Sequence, residues 1–200
     1  MRKAIVLSTV VATLLGGAAP LFAGRGFSYS RLMSAIASND GDVIASELEV
    51  AEFFMCGACI QPVRNLLDHD DYRVREAAAW WFATRPMQRK DIREVAIARL
   101  YANDSVAARN AADALGTFRH PDAISALSFA AGRSDLSAEA RVAAVKALGL
   151  IGNGSAESAI VGALGAPDGA VRVEALGAYL ALRGSRDGSP LVGLLGDPDV

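Results

Sequence analysis

The sequence is short of the residues that carry out chemistry. It holds two cysteines and two histidines in 200 residues, so a structural zinc site, which wants four Cys or His ligands, would need every one of them, and the two histidines stand far apart in the chain. His69 lies ten residues beyond Cys59, and the only other imidazole is His120. Covalent haem attachment needs His directly after the second Cys, where Ile60 stands instead. There is no G-x-S-x-G elbow, and neither histidine has a recognisable nucleophile beside it, which argues against a hydrolase. Asp68, Asp70 and Asp71 crowd around His69, yet the D-x-D-x-D-G spacing of a calcium loop is missing. No catalytic residue, metal or cofactor is expected, and His69 and His120 read as solvated turn residues.

Other shortages narrow the fold and the compartment. Aromatics make up 6% of the chain, and sustained period-two alternation is absent, which excludes a strand-based fold. Basic residues do not exceed acidic ones, and the formal net charge is -2; nonspecific nucleic-acid binding would need a basic stripe. A long hydrophobic run occurs once, at residues 4–23, behind Arg2 and Lys3. This reads as a secretory signal cut after Ala23, leaving a net charge of -4 and placing the product in a bacterial periplasm. The competing reading is a retained anchor, since the run approaches bilayer length. Gly16, Gly17 and Pro20 interrupt its helix, and with no Cys after the cut, lipid attachment of the lipoprotein kind is not expected.

What the chain does have is a repeat. VREAAAWWFA (74–83), AARNAADALG (107–116), ARVAAVKALG (140–149) and VRVEALGAYL (171–180) share one ten-residue frame. Its ninth position is Phe82, Leu115, Leu148 and Tyr179, a period in the range of helical solenoid units. Three residues before each frame stands Asp71, Asp104, Ser137 or Asp168, able to accept from unpaired amides at a helix start. A turn rich in Gly, Pro, Ser or Asp follows each frame, and then a second helix with apolar residues at helical spacing: Ile60, Val63, Leu67; Ile92, Val95, Ile97; Ile124, Leu127; Ile160, Leu164; Leu191, Leu194, Leu195. The expected fold is all-α, an α-solenoid (α-α superhelix) of stacked antiparallel helix pairs.

The Asp-x-x-Val-Arg start, the Ala-rich run ending Ala-Leu-Gly and the following Pro-x-Ala-Ile-x-x-Leu resemble the short HEAT-type repeat, including the subgroup first named from phycobilisome lyases. The resemblance covers about Asp40 to the end and is strongest from Asp71. It implies a structural ladder of Asp71, Arg75, Arg141, Asp168 and Arg172, each arginine pairing with a cap residue or with the next unit's turn. Ala108 replaces the arginine in the second frame, which breaks that ladder. HEAT-repeat hydroxylases that hold iron use His-Glu pairs, and no His-Glu dipeptide occurs. Lyase-like handling of a chromophore is a further implication of the subgroup, at odds with an export signal.

Residues 24–58 fit the frame badly and read as a helical N-terminal cap or degenerate repeat, with helices over 27–37 and 42–55; residues 59–200 are the repeats. Asp199 lies 31 residues after Asp168, where another helix should begin, so the array is expected to be incomplete at its C-terminus.

Three features break the pattern. Cys56-Gly57-Ala58-Cys59 falls in a turn before a second helix. It reads as a structural disulfide stabilising by under roughly 3 kcal/mol, as a redox-active pair, as a metal or cofactor site, or as free thiols. Trp81 aligns with Ala114, Ala147 and Ala178 and reads as core, whereas Trp80 aligns with Asp113, Lys146 and Gly177, positions expected to face solvent. Trp80 is therefore an interface candidate or a filler against the cap. On the second helices, expected to line a concave face, Gln61, Arg93 and Ser125 are partner-binding candidates. The function these observations imply is an exported noncatalytic scaffold for a protein or peptide partner; the alternative is a thiol-redox or maturation factor using Cys56 and Cys59.

Overall fold

The computed structural model describes residues 26–183 and 187–200, and the expected signal or anchor lies outside them. The described residues are all-α, with ten α-helices and short 3-10 turns. An N-terminal helix, α1 (Tyr29–Ser38), precedes the first helices of five successive units: α2 (Gly41–Ala51), α4 (Tyr72–Ala83), α6 (Ser105–Phe118), α8 (Ala138–Ile151) and α10 (Gly169–Arg183). The second helices are α3 (Ile60–Asn65), α5 (Pro86–Arg99), α7 (Ile124–Gly132), α9 (Glu157–Ala163) and a 3-10 segment, Ser189–Leu194. No described helix is long and apolar enough to cross a membrane.

The caps explain where the first helices start. Asp71 accepts from Arg73 N, Asp104 from Ala107 N and Ser137 from Ala140 N, each satisfying an amide that the helix leaves open. Asp40 does the same for α2, accepting from Asp42 N and Val43 N, and it stands 31 residues before Asp71. Residues 40–68 therefore form a unit in phase with the others, though α2 carries neither the frame's arginine nor its Leu-Gly ending. The helix expected over 42–55 stops at Ala51, and Phe53, Phe54 and Met55 turn outward.

The first helices pack on one another in order, α2 on α4, α4 on α6, α6 on α8 and α8 on α10. Small residues make this approach close: a Cβ at Gly116 would meet the Ala147 Cα at 3.0 Å, and one at Gly149 the Ala178 Cβ at 2.9 Å. The core falls into two clusters, one around Leu48, Val74, Trp81 and Phe82 and one around Leu115, Leu127, Leu148 and Tyr179, meeting across α6. Most expected second-helix residues reach this core, including Val63, Leu67, Ile92, Ile124, Leu127, Ile160 and Leu164. Val95 and Leu195 do not: both are exposed, Leu195 because its stretch closes as a 3-10 turn that cannot present an α-helical stripe.

Arginines connect the units. Arg75 Nη1 donates to the carbonyls of His69 and Asp70, at 2.7 Å each, in the turn before its own helix, while Nε and Nη2 reach Asp113 Oδ2 of the next first helix at 2.9 and 2.7 Å. Arg172 repeats the geometry: Nη1 holds the Ala166 and Pro167 carbonyls, and its other nitrogens hold Asp197 and Asp199. Arg141 pairs with Asp168. At the break, where Ala108 has nothing to offer, Arg133 at the end of α7 donates to the Leu100 and Ala102 carbonyls at 3.1 and 2.7 Å, and Ser137 N donates to Ser105 Oγ at 2.8 Å. The connection persists with different residues.

Asp113, expected to face solvent, is buried, because the close packing of α4 on α6 directs it at Arg75. Burial, outweighing the arginine, pushes its carboxyl above the usual range. Hydrogen bonds from Arg73, Arg133 and Arg172 instead hold Asp71, Asp135 and Asp197 below it. The stability these three contribute is complete above about pH 4 and is lost as acid protonates them below it.

The Asp113→Leu variant strands a buried guanidinium and should lose about 3 kcal/mol in urea unfolding. Adding Arg75→Met removes the stranded charge but not the need of two turn carbonyls, so the double variant should lie only about 1–2 kcal/mol below the native protein. Losses that simply add would contradict the coupling.

Candidate functional site

The turns that open α7 and α9 share a common form. His120 and Asn153 each accept from the amide two residues on, and Ala123 N and Ala156 N donate back to their carbonyls. Cys56 stands where His120 and Asn153 stand, and Cys59 where the fully buried Ala123 and Ala156 stand; Cys59 N donates to Cys56 O in the same way. The two cysteines form a disulfide with Cα atoms 5.3 Å apart. Cys59 is inaccessible and Cys56 partly exposed, so the bridge replaces the side-chain bond by which His120 and Asn153 close this turn.

Arg85 occupies the same turn position after α4, and its side chain runs back between helices. Its guanidinium lies 3.4 Å from the Trp81 ring centroid, donates to the Trp81 carbonyl, and reaches the Glu52 and Phe54 carbonyls at 3.0 and 2.8 Å. Trp81 Nε1 donates to Ala51 O at 3.2 Å. Together they satisfy the carbonyls left open where α2 ends. Burial holds the Arg85 pKa below its ordinary value. Trp81 is core as expected, with a polar bond the alignment with alanines did not reveal.

On this support sits a groove of about 630 Å³ between α2 and α4. Leu48 and Trp81 form its buried floor, and Glu49, Glu52, Glu76 and Trp80 line it, with Trp80 48% exposed. Arg73, also on its wall, is held by Asp71 and Asp42. Phe53 and Met55, 84% and 94% exposed, directly follow the end of α2. A second, shallower groove of about 340 Å³ runs over α4, α6, α8 and α10, where Lys146 Nζ sits 3.8 Å from the Tyr72 ring centroid and Tyr72 OH donates to Glu76 at 2.9 Å. Lys146 and Tyr72 are thus partly exposed and packed against each other.

The expected site residues separate into groups. Trp80 lies in the first groove, and Asp71 borders it through Arg73. Cys56 and Cys59 lie beyond the end of α2, while Arg75, Arg141, Asp168 and Arg172 join the units. Gln61, Arg93 and Ser125 are on second helices, outside the linings of both grooves: Gln61 bonds Asn65 at 2.9 Å, Arg93 pairs with Asp122 at 3.5 Å, and Ser125 is exposed. His69 is more than a solvated turn residue. Its Nδ1 accepts from Asp71 N at 3.0 Å, which leaves Nε2 as the donor to Asn39 at 3.1 Å.

The family model for HEAT repeats matches residues 60–135 and 128–200. The chain belongs to the HEAT-repeat family. The match is to HEAT repeats in general and does not single out the phycobilisome-lyase subgroup. No curated protein matches the sequence. HEAT-repeat geometry explains what sequence reading missed: Glu49 and Glu52 belong to a first helix without the frame's motif, and Arg85 sits in a turn whose composition does not show where its side chain goes.

Arg85→Met should lower stability by about 3 kcal/mol in urea unfolding, because buried carbonyls lose a charged donor. A loss below about 1 kcal/mol would show that the end of α2 is held by other contacts.

Proposed function

We propose that this HEAT-repeat protein is an exported, noncatalytic scaffold that holds a protein or peptide partner in the groove between α2 and α4. The observation that carries the reading is Trp80, a large aromatic half exposed over a floor whose rotamers Arg85, Trp81 and Leu48 fix in advance. A preformed wall avoids much of the ordering cost of association, and aromatic residues in such pockets dominate binding energies. Mechanism here is shape: the helix stack sets the groove, and a few anchors set affinity. Export is supported by Arg2 and Lys3 ahead of an uncharged run, and by a cysteine pair suited to an oxidising compartment.

Full-length chain used as bait in a periplasmic fraction should retain a partner that Trp80→Ala loses at least about tenfold, a modest effect for an interface anchor. The recovered bait should have the mass expected after cleavage at Ala23. Equal retention by both forms, or by neither, would remove the support for this site.

One observation favours a second reading. Cys56 is partly exposed and Cys59 buried, the asymmetry that thiol exchange uses when a substrate attacks or leaves one sulfur. The scaffold reading expects a reduction potential below about -300 mV, as for structural disulfides. A value near that of thioredoxin-like oxidoreductases, about -270 mV or higher, favours a thiol-redox factor.

A further inference from the structure

We infer that the occupant of the groove between α2 and α4 is a cationic amphipathic segment of a partner protein. Its basic residues would meet Glu49, Glu52 and Glu76, and its apolar face would lie on Trp80. This rests on reading the groove as a partner site and names the chemistry of what enters it.

Charge decides the sign of the partner. Glu49 on α2 and Glu52 at its C-cap are three residues apart in helical backbone and share one face, and Glu76 and Trp80 are four apart on α4 and share another. Carboxylates thus stand on both walls. The cation of the lining, Arg73, is already held by Asp42 and Asp71 outside the groove. Arg85, beneath Glu52, is turned into the protein toward main-chain carbonyls. Tyr72 OH gives Glu76 only a neutral donor, and Arg85 acts on Glu52 from beneath, so three carboxylates against one already-paired guanidinium leave the lining net negative around an exposed indole, which attracts a positive segment and repels an acidic one.

Apolar surface decides that the partner is amphipathic. Arg85 bonds the Phe54 carbonyl, so the ends of α2 and α4 lie together, and Phe53, Met55 and Met87 are exposed around them; Met87 is 79% exposed. Unbranched thioethers and a flat indole adapt to varied apolar side chains, as in helix-in-groove recognition. Anionic lipid is disfavoured as the occupant, because the same carboxylates would face its headgroups.

Isothermal calorimetry on the full-length, disulfide-bonded protein can separate the possibilities. The probes are synthetic Lys/Leu, Gln/Leu and Glu/Leu peptides of about four helical turns with one amphipathic pattern, and phosphatidylglycerol vesicles. The Lys/Leu peptide should bind and the Glu/Leu peptide should not. Trp80→Ala, checked for an unchanged melting curve, should weaken the Lys/Leu peptide about thirtyfold. Glu49→Gln/Glu52→Gln/Glu76→Gln should weaken it about tenfold and remove most of its salt dependence. Trp80-dependent binding of the Gln/Leu or Glu/Leu peptide at equal strength overturns the cationic inference and leaves the groove as a partner site. Vesicle binding in place of peptide binding overturns it in favour of a membrane surface. Binding indifferent to Trp80, or no peptide binding, overturns both.

Discussion

A guanidinium carries five N–H donors in a fixed plane, and Arg75 divides them between two units of the stack. One edge grips carbonyls in the turn before its own helix, and the other grips Asp113 of the next first helix. A lysine, with a point charge on a flexible stem, cannot fix both directions at once. Arg172 repeats the device on Asp197 and Asp199, and Arg141 carries the unit-to-unit arm to Asp168. Buried ion pairs of this kind contribute little net stability, since desolvation offsets attraction. Their role here is register: the turn cannot rotate without stranding carbonyls, and the neighbouring helix cannot slide without stranding a carboxylate. The close approaches at Gly116 and Gly149 depend on that register, because a shift along either helix would bring larger side chains to the contact.

The same economy of positions governs the other end of each unit. One turn position, opening the second helix, holds Cys56, Arg85, His120 and Asn153 in successive units. His120 and Asn153 close the turn with a local side-chain bond. Cys56 closes it with a covalent one. Arg85 leaves its own turn and ties α4 to the end of α2. The groove is a product of that last choice. By ending α2 early, the Arg85 and Trp81 contacts turn Phe53 and Met55 outward and leave Trp80 beside three carboxylates, which makes this the part of the stack least like a plain repeat.

The fold was legible because the repeat reports itself several times. Four frames with a capping residue three positions ahead locate four first helices, and Asp71, Asp104 and Ser137 cap theirs where expected. Asp40 was harder to place in the series: α2 packs like a first helix, yet it lacks the frame's arginine, so only its cap and spacing betray its phase. Trp80 was legible as a large aromatic at a position otherwise polar or small. Asp113 was misread because a carboxylate in a helix looks solvent-facing unless its partner is known, and Arg75 lies 38 residues away. Arg133 was invisible for the same reason: nothing at its own position signals that it replaces an arginine lost at Ala108. Long-range pairing of charged side chains is set by packing, and periodicity within one helix does not contain it.

Amide hydrogen exchange on Arg75→Met reads the register role of this arginine directly. In a helical-repeat stack each unit contacts only its neighbours, so a lost register bond should act locally. Amides in residues 69–76 and 107–113 should lose protection while those of α9 and α10 keep theirs. Unchanged protection in both segments, or an equal loss through α10, would contradict the role assigned to the arginine.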